Sequence, residues 1–183
     1  MTRSASRIVM IYGTVAGLIV AVPMVALMLT LTAETAPDNG ALYGYLTMLV
    51  ALTAVFLGVK HYRDKVLGGA VRFLPALFVG LAISAIASVI YAIGWEISLA
   101  LTGFDFPGAY LHEMVEAARA RGASAAEIER ITQQAEGFAR LYANPLYRLP
   151  VTFVEMFPIG AVIALISAAL LRNSRFLAAR ASS

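Results

Sequence analysis

The sequence predicts an all-α protein: a four-transmembrane-helix bundle with an extracytoplasmic amphipathic helical hairpin between spans 3 and 4. Three observations predict it. Four apolar runs, at about residues 8–32, 41–59, 73–101 and 149–171, each have the length that crosses ~30 Å of hydrocarbon at ~1.5 Å per residue. The 183 residues are 60% hydrophobic and only 14% charged, too little polar surface to cover four all-round apolar helices in water. The charges also sort by side.

Arg3, Arg7, Lys60, Arg63, Lys65, Arg72, Arg172, Arg175 and Arg180 stand against one acid, Asp64, at one set of span ends. At the other ends lie Glu34 and Asp38 of the 33–40 loop and the whole 102–148 segment. There, five arginines (119, 121, 130, 140, 148) face Asp105, Glu113, Glu116, Glu127, Glu129 and Glu136. Basic residues accumulate in short cytoplasmic loops, so both termini and the 60–72 loop are expected in the cytoplasm and 102–148 outside. An even number of spans agrees. The net charge of +3 is thus a matter of topology and calls for no nucleic acid. Zero cysteines exclude disulfides, thiolate metal sites and cysteine nucleophiles. The whole chain, 1–183, reads as a single integral membrane domain.

The first span follows Arg3 and Arg7, as a signal peptide would, but its ~25 apolar residues exceed a ~7–15-residue h-region and no Ala-x-Ala site follows. It is read as a retained span. Gly13, Gly17 and Ala21 recur at four-residue steps for close helix approach, and Pro23 is expected to bend the helix. Thr35–Gly40 is a turn by composition. Tyr43 and Tyr45 open the second span and Tyr62 follows it, at the interfaces where aromatic belts form. The third span carries Gly80, Ser84, Ser88, Tyr91 and Trp95 on one stripe. The fourth carries Gly160, Ala164 and Ala168 at the same small-residue spacing, so these two stripes predict a contact face.

Between those spans, about residues 105–143 are expected to form a helical hairpin lying on the membrane or capping the bundle. One helix runs over 108–121 and ends at Gly122. Ser124-x-x-Glu127 has the form of a capping box, and Ile128, Ile131, Ala135, Phe138 and Leu141 or Tyr142 recur at helical steps to about Tyr142. Asn144-Pro145 ends it.

The candidate polar intramembrane site is Glu96, Thr152 and Glu155. Both glutamates are expected ~7–9 Å below the outer interface, where two carboxylates could share a proton or hold a cation. The bland alternatives are snorkelling, or pairing with Arg140 or Arg148. Thr152 lies three residues from Glu155 on the same face, and Pro158 frees the carbonyl of Val154. The cytoplasmic loop candidate is Tyr62, Arg63 and Asp64, suited to anionic headgroups or to fixing topology. His61 and His112 fall on opposite sides, so no two-histidine metal site forms, and no metal or cofactor is expected. No P-loop, GxSxG, HExxH or dinucleotide fingerprint occurs.

These residues carry a family pattern. Gly44-Tyr45, Phe56-x-Gly58, Tyr62-Arg63-Asp64, Gly68-Gly69, Tyr91-x-x-x-Trp95, Tyr142-x-Asn144-Pro145 and Thr152-x-x-Glu155-x-Phe157-Pro158-x-Gly160 follow in order. With the long gap between spans 3 and 4, the chain resembles the domain-of-unknown-function 4199 family over nearly its whole length. The resemblance implies a bacterial multi-span protein, hence the inner membrane, and supplies no catalytic residues.

Three functions remain open. The first is a non-enzymatic membrane interaction or assembly protein, partnered by the lipid bilayer and by its own copies or another membrane protein. The second is a small oligomeric carrier or channel using Glu155 and Glu96 for a proton or cation. The third is a lipid-modifying enzyme with one glutamate as general base.

Overall fold

The structure is a computed structural model that describes residues 3–30 and 40–178. The helices are α1 (Arg3–Thr30), α2 (Gly40–His61), α3 (Phe73–Thr102), α4 (Phe106–Ala120), α5 (Ala125–Tyr142) and α6 (Pro145–Leu171). A π-turn, Tyr62–Val66, extends α2, and no strand occurs among the described residues. Four segments are long and apolar enough to cross a membrane: α1, α2 with its π-turn, α3 and α6. The Thr35–Asn39 part of the expected turn, with Glu34, Asp38 and Arg180, lies outside the described residues.

Small residues decide how these helices meet. The stripe on α1 packs on α3, with Gly13 beside Ile86, Gly17 beside Ile90 and Ala21 beside Gly94, so the two run parallel. A β-carbon at Gly17 would stand 2.6 Å from that of Ile90, closer than any side chain tolerates. On its other side α3 meets α6 antiparallel, with Gly80 against Ala164 and Ser84 against Gly160. The predicted contact face between the third and fourth spans is therefore present. Helix α2 packs on α1, α3 and α6, and Leu52, Val55, Ile83 and Met156 fill the shared core. Ser84, Ser88, Ser98 and Ser167 are buried there, and each hydroxyl donates to the carbonyl four residues earlier. Polar side chains thus enter an apolar interior without unmet hydrogen bonds.

Helices α4 and α5 lie antiparallel, joined through Gly122 at φ 77. Their rings interlock, Phe106 with Tyr142 at 5.2 Å and Tyr110 with Phe138 at 6.0 Å between centroids. Helix α4 starts two residues before the expected position because Asp105 caps it, accepting from the Gly108 N–H at 3.1 Å. Half of the expected capping box forms. Ser124 Oγ accepts from the Glu127 N–H at 3.3 Å, while the Glu127 carboxylate pairs with Arg121 at 3.1 Å.

Two expected boundaries shift. The fourth span begins at Pro145, not near 149, because Asn144 caps it by accepting from the Leu146 N–H and proline suits a first helical position. The 60–72 segment is helical in its first half, where the π-turn carries Tyr62, Arg63 and Asp64 on from α2.

Candidate functional site

Helices α3, α4, α5 and α6 line a half-open cavity of ≈ 460 Å³ at the end of the bundle where the α4–α5 pair sits. Tyr91 and Trp95 line it from α3, Phe106 and Tyr110 from α4, Phe138 and Tyr142 from α5. Thr152 and Glu155 of α6 complete its polar side. At the deep end, the Tyr91 hydroxyl donates to Glu155 Oε2 at 3.1 Å. At the shallow end, Trp95 Nε1 donates to the Tyr142 hydroxyl at 2.7 Å and Phe106 meets Trp95 edge-on at 5.5 Å. Burial holds the Tyr142 hydroxyl above the usual tyrosine range, against the opposing pull of the Trp95 hydrogen bond and the Arg148 charge.

The two intramembrane glutamates take different partners. Both oxygens of Glu96 accept from Arg148, Nε at 2.6 Å and Nη2 at 2.5 Å, in the bidentate fork that matches a carboxylate. Arg148 also donates from Nη1 to the Tyr142 carbonyl at 3.0 Å and lies 5.5 Å from the Tyr142 ring centre. It thereby ties the end of α5 to α3 and α6. The expected matching depth is not found: Glu155 is level with Tyr91, five residues and about 7 Å deeper than Glu96 at ~1.5 Å per residue. The earlier start of α6 is the reason, since it places Glu155 ten residues into the helix. Thr152 is buried on the Glu155 face, its hydroxyl donating to the Arg148 carbonyl at 3.0 Å.

The Tyr62-Arg63-Asp64 triplet lies at the opposite end of the bundle, and Arg63 does not face solvent. Its side chain has no exposed surface; Nε reaches Asp64 at 2.6 Å, and Nη1 and Nη2 donate to the carbonyls of Phe176 and Leu177 at 2.8 and 2.7 Å. Lys60 pairs with the other Asp64 oxygen at 2.5 Å. The guanidinium thus fixes the segment after α6, where Leu177 adopts φ 45, a left-handed conformation uncommon for leucine. At the same end Tyr12 Oη is 3.0 Å from His61 Nδ1.

Some of this was beyond sequence reading. Phe138 and Tyr142 fell on the apolar stripe of the second hairpin helix but gave no sign that they wall a cavity with Phe106 and Tyr110. Nothing marked Phe176 and Leu177, because backbone carbonyls are acceptors in any residue.

The molecule is a multi-pass α-helical membrane protein whose helical pair closes over an aromatic cavity between two spans. A family model described as "Protein of unknown function (DUF4199)" matches residues 11–173, and the chain belongs to that family. No curated protein and no solved structure matches the chain.

Proposed function

We propose that this is a non-enzymatic protein of the bacterial inner membrane that binds an amphipathic membrane component in the aromatic cavity. The observation that carries this reading is the cavity itself. Its ≈ 460 Å³ falls within the ~300–1,000 Å³ usual for ligand pockets, and its walls are apolar with a few convergent polar groups. The charge distribution supports both termini in the cytoplasm, which puts α4, α5 and the cavity at the outer face of the bilayer. There a ligand from the outer leaflet can seat its head in the cavity while its chain stays in hydrocarbon. Val151 lines the cavity and is also exposed on the side of the bundle, offering such a chain a route into lipid.

The test is native mass spectrometry of protein released from mild detergent. The wild-type chain should carry a lipid-sized adduct, and Ala135→Phe, which fills the cavity from a buried α5 position, should lose it. A wild-type protein that carries no adduct, or the same adduct in Ala135→Phe, would contradict the reading.

A second reading, a small oligomeric carrier or channel, draws on Glu155, which no cation pairs among the described residues. Glu96 contributes nothing to it, because Arg148 takes both its oxygens. This reading expects proton or cation flux in proteoliposomes that Glu155→Gln abolishes.

A further inference from the structure

We propose that the cavity selects ligands whose head is an organic ammonium group, with Glu155 as the counter-ion and the aromatic walls as its cage. The inference rests on the binding reading above and specifies the head group that reading leaves open.

Charge accounting comes first. The membrane-crossing segments hold three carboxylates, of which Asp64 is neutralised by Arg63 and Lys60, and Glu96 by Arg148. Glu155 has only the neutral hydroxyl of Tyr91, at 3.1 Å against the ~2.5–2.7 Å of a strong O–H···O⁻ bond. An unpaired carboxylate at membrane depth is expensive and is kept where a cation or proton meets it. The Glu155 side chain remains accessible from the cavity it lines.

The donor set then selects the kind of cation. No group of three or more His, Cys, Asp or Glu exists among the described residues, and a metal ion draws on several such ligands. The wall of the cavity that Glu155 lines is rich in rings, Tyr91, Trp95, Phe106, Tyr110, Phe138 and Tyr142, of which Tyr91 touches the carboxylate. Ring faces attract ammonium groups, and a cage of them with one carboxylate is the chemistry that recognises alkylated amines. The apolar exit past Val151 favours an ammonium carried on a hydrocarbon chain over a free soluble amine.

Trp95 is the only tryptophan in the chain and lines the cavity, so its emission reports occupancy. The protein in maltoside micelles would be titrated with dodecylammonium and, separately, with dodecanol. A lipid arm would compare phosphatidylethanolamine with phosphatidylglycerol of the same chains. Wild-type protein should bind the ammonium member of a pair at least about tenfold more tightly. The arm that responds tells whether a lipid head or a free amphiphilic amine is preferred. Glu155→Gln should bring each pair within about twofold of one another while dodecanol still binds. Tyr110→Leu, which removes one wall and leaves Glu155, should cut the preference several-fold if the Gln variant fails to fold. Equal binding of ammonium and neutral members by wild type would overturn the head-group assignment and leave the cavity reading standing. No response of Trp95 to any amphiphile would overturn both.

Discussion

Arginines, in a chain with few charges, do the most specific work. Arg148 holds Glu96, the end of α5 and the Tyr142 ring at once, so removing either half of the ion pair strands a partly buried charge. Arg148→Met and Glu96→Gln should each cost about 3 kcal/mol in reversible unfolding from mixed micelles. The double variant should lose clearly less than the sum, whereas a strictly additive double variant would show that the two do not act as a pair. Arg63 makes a different prediction. Lysine cannot bridge two carbonyls and Asp64 in the same planar fork, so Arg63→Lys should release the segment after α6. Trypsin would then cut at Arg172 and Arg175 at least about tenfold faster than in wild type. Unchanged cleavage would show that the segment is held by other contacts. The residue types of these clusters were visible in the sequence, and Arg148 stood among the partners expected for a glutamate. Their three-dimensional partners were not, since Arg63 meets carbonyls more than a hundred residues away.

Small-residue spacing is what made the helices' contacts legible. Gly13, Gly17 and Ala21 on α1, and Gly160 and Ala164 on α6, make the close approaches their four-residue steps predict, because glycine and alanine let backbones approach. Gly17→Val should therefore cost about 1–3 kcal/mol, the range for overpacking a tight interior. Gly137 sits within α5 with nothing within 4 Å of an added β-carbon, so Gly137→Ala should stabilise by up to about 1 kcal/mol. Thermal unfolding of the two variants tests the contrast; equal effects would mean the α1–α3 contact is looser than described. Helix ends were less legible. Caps compete locally, and Asn144 and Asp105 each started a helix earlier than hydrophobicity alone suggested. That four-residue difference in α6 moved Glu155 away from Glu96 and gave it Tyr91 instead.

The whole molecule combines a feature the sequence declares with one it conceals. Length, apolar content and charge sorting declare a four-helix membrane architecture, and the structure has four helices long and apolar enough to span. The cavity is concealed because it arises only when α4 and α5 fold back over the ends of α3 and α6. Its proposed use depends on which face of the bilayer it occupies. A cavity at the outer face would meet ligands from outside or from the outer leaflet, and the arginine clamp on the segment after α6 would lie in the cytoplasm. The absence of cysteine makes this directly measurable, since each introduced thiol is the only one present. Ala126→Cys, exposed on α5, and Ala70→Cys, exposed between α2 and α3, would be treated in intact cells with a membrane-impermeant maleimide. Labelling at position 126, with position 70 protected until the membrane is opened, is the predicted result. The reverse pattern, or labelling of both in sealed cells, would contradict it.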